Sequence, residues 1–224
     1  LTERTISPKS LQVNLQLCKA DYRSDWDAVS MGYSAFDSLP KNFADFLIGH
    51  VSAKVASKNE SNIWNGDADN TGEFDGLVTL VSTDAALPAA NEIAGSSALN
   101  ASATVIAELG SIVDAIPAEL YGKEDLRIFI SQATHKAYVR AMGALGYVDK
   151  FNNQAMGEDL LFDGIKLCVV HGLTGFQAMA TTIDNIFFAC GLQNDENIVK
   201  LIDMADVDGS ENVRLVMRMT GAVQ

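Results

Sequence analysis

The segment CVVHGLTG, at residues 168–175, is the part of this chain that comes closest to a catalytic motif. It runs from an apolar strand pattern into His171 and a Gly-rich loop, as the oxyanion loop of an α/β-hydrolase does. Such an enzyme also needs a later G-x-S-x-G turn for its nucleophile, with acid and histidine partners. After Gly175 the only serine is Ser210, and no histidine follows it. The pattern therefore argues against a hydrolase, and we interpret His171 as a polar residue at the end of a strand.

Two acidic loops contain the residue types that calcium prefers. In the loop DADNTG, residues 67–72, the glycine falls where an EF-hand has one, but the closing bidentate position would be Val78, which cannot ligate. Asp203, Asp206 and Asp208 precede Gly209 at a spacing that fits no EF-hand. Asp, Asn and Gly also favour turns, because they tolerate or stabilise turn conformations. We therefore predict a turn at each place and no metal site.

The histidines and cysteines are scattered along the chain. They form no H-x₃-H or C-x₂-C pair, which argues against zinc, and the chain has no Walker lysine motif and no G-x-G-x-x-G segment. Because the cysteines are odd in number and far apart, we predict reduced core residues. The sequence therefore predicts no catalytic residue, no cofactor and no metal ligand, and hence no enzyme. The histidines are His50, His135 and His171, and the cysteines are Cys18, Cys168 and Cys190.

The composition is that of a globular protein with an acidic surface. The 224 residues include 29 acidic and 16 basic side chains, for a formal net charge of −13. A surface this negative repels phosphate, so sequence-independent binding of nucleic acid is disfavoured. No apolar run reaches the ~18 residues that a membrane span requires, and no signal peptide is recognisable. A chain of this length can bury a sizeable core, in one domain or in two intertwined lobes.

The longest element is an amphipathic helix that begins near Pro40. Its apolar stripe repeats at every fourth residue, at Phe43, Leu47, Val51 and Val55. About 22 residues of helix would span roughly 33 Å. The helix leads into the sequence IWNGD at residues 63–67, and a strand is predicted after it at residues 74–81. A helix of this length with a polar, Gly-containing exit is typical of a structural backbone.

The other elements mix strands and helices without a regular βαβ order, which favours an α+β fold over a doubly wound sheet. Val13, Leu15 and Leu17 alternate with polar residues, as in a half-buried strand. In the last strand the apolar residues occupy one face, and Arg214 and Arg218 occupy the other. The other predicted strands are Leu126–Ile130, Gly164–Val170, Ile183–Ala189, Ile198–Met204 and Val213–Met219, and the other predicted helices are Asn100–Leu109 and Gln132–Leu145.

Several stretches, in this order, resemble the major capsid proteins of tailed bacteriophages. Residues 1–26 resemble a family pattern in which a strand-borne Leu-Cys, here LC at 17–18, leads to the long helix. The sequence NESNIWNGD at 59–67, followed by FDG at 74–76, resembles the exit of that helix. Residues 162–191, which begin FDGIKL, resemble the late strands, and residues 213–224 resemble the closing strand. Together the stretches span nearly the whole chain.

The resemblance implies the Hong Kong 97-type capsid fold, which encapsulins share. It implies a peripheral domain of residues 1–73 and 183–224, with a spine helix at about residues 40–62, and an axial domain of residues 74–182. In this family an N-terminal arm and an extended loop, both upstream of the spine helix, clasp neighbouring subunits. This chain has fewer than 40 residues there. We therefore expect the arm to be absent and the extended loop to be missing or clipped.

The resemblance further implies a structural protein that assembles through pentamers and hexamers into an icosahedral shell around phage DNA. A scaffolding protein or a protease would be its partner in the parent virus, and assembly would precede residence in the virion, in the cytoplasm of a bacterial host. The DNA would be held by non-specific enclosure, and no membrane would be involved. We expect the loops at residues 85–98 and 150–159 to form the contacts around the ring axes.

Three alternatives stay open at this point. The first is an encapsulin-like nanocompartment shell protein, which a bound cargo peptide would reveal. The second is an α+β enzyme with scattered acids, which would require a deep pocket lined by Asp or Glu with perturbed pKa values. The third is a phage tail or decoration protein, which would lack the long spine helix.

Overall fold

The computed structural model of the chain describes residues 5–22, 41–95, 98–146, 160–191 and 198–224. Helices and strands are mixed, so the predicted α+β class is confirmed. The strands are β1 (Lys9–Cys18), β2 (Leu126–Ser131), β3 (Leu160–Phe162), β4 (Ile165–Val170), β5 (Ala178–Thr182), β6 (Phe188–Ala189), β7 (Ile198–Asp203) and β8 (Asn212–Val223). The helices are α1 (Lys41–Asn65), α2 (Leu77–Thr83), α3 (Val105–Asp114), α4 (Gln132–Ala144) and α5 (Ala205–Asp208), with 3₁₀ turns at Ala89–Asn91 and Ile183–Asn185.

The chain divides into two compact units, each of which is discontinuous in sequence. The long helix α1 contributes residues to both units. The first unit comprises Leu1–Asn59, Asp67–Phe74 and Phe188–Ala222, and the second unit comprises Glu60–Gly66, Asp75–Phe187 and Val223–Gln224.

The sheet of the first unit is built around β8. Strand β1 pairs antiparallel with one edge of β8, from Lys9 opposite Gly221 to Cys18 opposite Asn212. Strand β7 pairs antiparallel with β8 as well, and β6 completes the four-stranded sheet. The predicted strands at Val13–Leu17, Ile198–Met204 and Val213–Met219 are therefore confirmed, and the last of them is longer than predicted.

The predicted alternation of β8 is also confirmed. Val213 and Leu215 are fully buried, whereas Arg218, on the other face, is exposed. Val213 packs with Leu47 of α1, which is 1% exposed, and half-buried apolar residues surround this pair. One face of the sheet is therefore covered by α1, and the period of two along the strand decides which residues lie there.

The second unit is organised around a sheet with the strand order β3-β4-β2-β5. Strand β2 is parallel to β4, while β3 and β5 form antiparallel edges. Ile128 and Ile130 of β2 are fully buried in a core with α3 and α4, which contribute residues such as Leu109 and Tyr138. The predicted strands Leu126–Ile130 and Gly164–Val170 and the predicted helix Gln132–Leu145 are confirmed to within one or two residues.

Local signals explain the boundaries of two of these elements. The Ser131 hydroxyl oxygen accepts a hydrogen bond of 3.1 Å from the Thr134 backbone N–H, which caps the first turn of α4. Asp163 and Gly164 join β3 to β4 with φ values of 46° and 81°. Two successive positive φ values are those of the type I′ turn that favours Asp-Gly in two-residue hairpins.

The spine helix is longer than predicted. It spans 25 residues, or about 37 Å, and continues through Ile63, Trp64 and Asn65, which we had predicted as its exit. The Trp64 side chain is only 5% exposed, and its burial stabilises this additional turn of the helix. Pro40, where the helix was predicted to begin, and the loop containing Trp26 lie outside the described residues.

The strand predicted at Phe74–Val81 is wrong, because this segment forms helix α2. Val78, Thr79 and Val81 are β-branched, which favours a strand, but the Leu80 N–H donates a helical hydrogen bond of 2.9 Å to the Gly76 carbonyl. The Thr79 hydroxyl donates a further bond of 2.7 Å to the Gly66 carbonyl. These hydrogen bonds, one within the helix and one to the end of α1, override the weak strand preference of the segment.

The strand predicted at Ile183–Ala189 is also wrong over most of its length. Residues 178–182 form β5, a 3₁₀ turn follows, and only Phe188–Ala189 pair as a strand. Ile183, Phe187 and Phe188 are 50%, 55% and 53% exposed, so the apolar run that suggested a strand lies at the surface.

Helix α3 begins at Val105 and not at residue 100, where it was predicted to begin. Turns precede it, and in them the Thr104 hydroxyl donates a hydrogen bond of 2.7 Å to the Ala98 carbonyl.

Candidate functional site

The glycine that suggested an oxyanion loop is a packing position in the second unit. A Cβ at Gly172 would lie 2.4 Å from the Glu60 carbonyl oxygen and 2.4 Å from Cδ1 of Trp64. His171, beside it, is exposed, and Cys168 is half-buried in β4. The close approach of Trp64 therefore explains why this position carries a glycine.

The side-chain contacts at the C-terminal end of the spine helix centre on Trp64. Its ring lies 5.2 Å from that of Phe129, measured between centroids, and its indole N–H donates to Oε1 of Glu60 at 3.3 Å. The Asn65 side-chain amide donates a bond of 2.6 Å to the Gly172 carbonyl. We call residues 60–66, Gly76 and Gly172 the helix exit.

Gly76 closes the helix exit from the other side. Its backbone N–H donates to the Gly66 carbonyl at 2.9 Å, and the Gly66 N–H donates to the Asn62 carbonyl at 3.0 Å. These segments are those that, in the sequence, resemble the helix exit of capsid proteins. The structure brings them together with the His171 loop, which the sequence alone did not connect to them.

The acidic loop after the helix exit belongs to the first unit and is held by its own hydrogen bonds. Oδ1 of Asp67 accepts the Asp69 N–H at 3.0 Å, and Oε2 of Glu73 accepts the Asp67 N–H at 3.2 Å. Glu73 also forms a salt bridge with Lys58 of α1. Residues 68–72 form turns, as predicted.

The Glu73 carboxylate gives a pH-dependent contribution to stability. The hydrogen bond from Lys58, followed by that from the Asp67 N–H, lowers the pKa of Glu73 below its ordinary value of 4.5. The folded state therefore binds this proton less readily than the unfolded state does. The contribution is fully present above pH 4.5 and is lost as the pH falls through the lowered folded-state pKa.

We expect Glu73→Gln to lower stability at pH 7 and to make it less sensitive to pH between pH 5 and 3. Urea midpoints measured across this range test the prediction. Lys58→Met should produce part of this flattening, because it removes the largest cause of the lowered pKa and leaves the hydrogen bonds from the Asp67 N–H and Asn70. Lys54→Met, an exposed site one helical turn earlier, is the matched control and should not. A wild-type slope retained in Glu73→Gln would contradict the prediction.

The histidines lie in three separate environments. His50 has its ring 5.8 Å from that of Tyr22 and 6.3 Å from that of Phe46. His135 lies in α4, where burial lowers its pKa. Among the residues that the structure describes, no group of three or more His, Cys, Asp or Glu is arranged to hold a metal ion.

The prediction that the cysteines are core residues is not confirmed for any of them and is wrong for Cys190. Cys18 and Cys168 are half-buried, whereas Cys190 is exposed. Cys190 follows the short strand β6 at the edge of the sheet, where the apolar sequence FFAC is only partly covered. Apolar residues next to Cys190 in the sequence therefore did not show that this cysteine lies at the surface.

Apolar side chains are exposed at both edges of the sheet in the second unit. Phe176, Ile183 and Phe187, which flank edge strand β5, are 71%, 50% and 55% exposed. At the opposite edge, Tyr121 and Leu161 are 52% and 55% exposed, and the Tyr121 hydroxyl donates to the Asp163 carbonyl at 3.2 Å. Apolar side chains that are exposed at a sheet edge are available for contacts with other proteins. These surfaces are the candidate functional site.

The loop predicted to form ring contacts is partly described. Residues 85–95 are largely exposed, and Ile93 is 39% exposed. Oδ1 of Asp84 accepts the Ala86 N–H at 2.9 Å, and a 3₁₀ turn follows at Ala89–Asn91. The second predicted ring loop, residues 150–159, lies outside the described residues.

Comparison with solved structures relates this fold to phage capsids. The chain is similar over its whole length to a chain of the satellite phage P4 procapsid that includes the size determination (Sid) protein, with a TM-score of 0.57, 11% sequence identity and 73% of that chain covered. It is also similar over 96% of its length to a chain from Mycobacterium phage Che8, with a TM-score of 0.52, 9% identity and 66% of that chain covered. The chain thus spans 66% to 73% of the length of these two chains. It has the fold of phage capsid proteins.

No family model and no curated protein sequence matches the chain. At 9% and 11% identity, the structural similarity establishes the fold and leaves the residues at the helix exit and at the sheet edges to be interpreted from their own chemistry. No described helix is long and apolar enough to cross a membrane.

Proposed function

We propose that the chain is a major capsid protein of a tailed phage, which assembles through pentamers and hexamers into an icosahedral shell around DNA. The observation that carries this proposal is the similarity of the entire chain to a chain of the P4 procapsid. The spine helix α1 supports it, because a long helix that contributes to both compact units suits a shell subunit. The role is structural, and we assign no catalytic residue, cofactor or metal.

In this proposal residues 1–73 and 183–224 form the peripheral domain, with α1 as its spine, and residues 74–182 form the axial domain. A scaffolding protein or protease acts on the parent protein, and assembly takes place in the host cytoplasm. The net charge of −13 supports enclosure of DNA without tight binding to it. An encapsulin-like shell would share the fold, and it would be distinguished by cargo protein in place of DNA.

The exposed apolar edges of the second unit provide the contacts that such a shell needs. A cyclic ring joins two different surfaces of each subunit, so both sheet edges can be used at once. Phe176 is the most exposed of these residues, at 71%. Its side chain therefore contributes little to the stability of an isolated subunit and has its effect on assembly.

Negative-stain electron microscopy and light scattering test this proposal on the chain, alone and with a scaffolding protein. We expect closed shells, or rings of five and six. Phe176→Ser should raise the concentration needed for assembly at least tenfold and change the free energy of unfolding by no more than ~0.5 kcal/mol. Val81→Ser, at an apolar residue of α2 that is 40% exposed, is the matched control. A monomer under every condition would refute the proposed function.

A further inference from the structure

One face of the sheet in the first unit carries positive charge on an otherwise acidic protein. Residues opposite each other in the register share a face, so Gln12 and Arg218 lie together, as do Gln16 and Arg214. Lys200 of β7 lies opposite Val216 on this same face. We call this surface the outer face, because α1 covers the opposite one.

The outer face contains no acidic residue at its positions in β1, β7 and β8, although the chain has 29 of them. Its charged residues are Lys200, Arg214 and Arg218. Its other polar residues include three side-chain amides of β1, those of Gln12, Asn14 and Gln16. The residues at the described positions of this face are Ser10, Gln12, Asn14, Gln16, Cys18, Ile198, Lys200, Ile202, Asn212, Arg214, Val216, Arg218 and Thr220.

The positive charges on the outer face are accessible. Lys200 and Arg218 are exposed and form no salt bridge with the described residues. Arg214 is half-buried, and its Nη2 lies 3.5 Å from Oε1 of Gln16. Ile202, beside them, is 41% exposed, so the face combines cations with an apolar patch.

An exposed acidic turn with complementary properties lies on the same unit. It joins β7 to β8 and contains Asp206, Asp208 and Glu211, all exposed. Val207, at its tip, is 70% exposed. Asp208 accepts the Ser210 N–H at 2.9 Å, which fixes the turn, and none of its three acids forms a salt bridge with the described residues. Hydrogen bonds from Ser210 and, more weakly, the nearby Arg214 of the same chain lower the pKa of Asp208. The charges left for another copy are therefore Asp206 and Glu211 on the turn, beside Val207, and Lys200 and Arg218 on the outer face, beside Ile202.

We propose that the outer face binds the acidic turn of a second copy of this chain. The proposal rests on the proposed function, since it assigns one contact within the shell. Two outer faces would repel each other, so this contact joins two different surfaces, as head-to-tail rings require. Copies with a net charge of −13 also repel one another at long range, so local charge complementarity is needed to bring them together.

The test compares two triple variants with the same net charge. The first, Lys200→Glu with Arg214→Glu and Arg218→Glu, reverses the outer face. The second, Lys54→Glu with Lys123→Glu and Lys136→Glu, reverses three exposed lysines elsewhere and is the control. We expect the first variant to need at least tenfold more protein than the control to assemble, as measured by light scattering and electron microscopy. If it does not fold, Lys200→Ala with Arg218→Ala replaces it, with an expected increase of about threefold.

A charge exchange identifies the occupant of the face. Adding Asp206→Lys and Glu211→Lys to the face-reversed variant should restore assembly, because the charges are again opposite. Asp208 is kept, since it fixes the turn. Assembly of the wild type should also weaken at 1 M salt, where the screening length falls to about 3 Å.

Other results would overturn the inference. Equal assembly of the two triple variants would show that the outer face is not a contact between copies, while leaving the proposed function intact. A failure of the charge exchange to restore assembly would assign the face to another partner. Loss of binding to duplex DNA with unchanged assembly would assign it to nucleic acid. A wild-type chain that never assembles would overturn the proposed function and this contact together.

Discussion

Replacing Gly76 with alanine is expected to lower the free energy of unfolding by about 3 kcal/mol. The new Cβ would lie 2.6 Å from Gly66 N, 2.6 Å from the Trp64 carbonyl carbon and 2.7 Å from the Asn62 carbonyl oxygen. All three are backbone atoms at the end of α1, so no rotation of a side chain can relieve the overlap. Gly76 has φ −80° and ψ 168°, which alanine also adopts, so the loss reports packing alone.

Urea unfolding followed by circular dichroism measures this loss. Gly110→Ala is the matched control, because Gly110 lies in α3 of the same unit and a Cβ there would have no atom within 4 Å. Alanine in a helix should stabilise this control by about 0.5–1 kcal/mol. A Gly76→Ala variant as stable as the wild type would contradict the close packing of Gly76 against Gly66.

Replacing Trp64 with alanine is expected to lower the free energy of unfolding by about 3–5 kcal/mol. The side chain is 5% exposed, and it packs on the ring of Phe129 and against Gly172. Because Gly172 has no side chain to move into the space, the cavity left by Trp64 cannot be filled from that direction. The measurement is again urea unfolding.

Trp64→Phe separates the packing of this residue from its hydrogen bond. Phenylalanine keeps the contact with Phe129 but lacks the indole N–H that donates to Glu60. We expect it to lose less than half of what Trp64→Ala loses. If both variants lost only ~1 kcal/mol, the Trp64 side chain would not be packed as closely as its contacts with Phe129 and Gly172 indicate.

Strong periodicity made much of the fold predictable from the sequence. In β8 the alternation of Val213 and Leu215 with Arg214 identified both the strand and its buried face. A period of two places every second residue on the same face of a sheet, so the apolar residues must share the buried face. In α1 the four-residue repeat that includes Leu47 and Val51, both buried, identified the spine helix. The same patterns placed Arg214 and Arg218 on the outer face, although their role there was not recognised.

The helix exit and the exposed edges were not predictable in this way. Gly76 and Gly66 are in tertiary contact, and they belong to segments that have no hydrophobic periodicity. The sequence indicates this contact only by placing two glycines ten residues apart. Ile183 and Phe187 were predicted to lie in an apolar strand, but both are exposed and outside the strands of the sheet. An exposed Ile or Phe is as hydrophobic in the sequence as a buried one, so hydrophobicity alone cannot separate the two.

The pairing of β1 with β8 also has a consequence for when the subunit becomes competent to assemble. It joins residues 9–18 to residues 212–221, so the first unit cannot complete its sheet until residue 221 has left the ribosome. Almost all of the second unit lies between these strands, and it can fold while synthesis continues. Closing so long a loop is slow, which delays the sheet further. An unfinished chain therefore has neither the outer face nor the acidic turn in its final form, so the contact proposed between them can form only after residue 221 has been made.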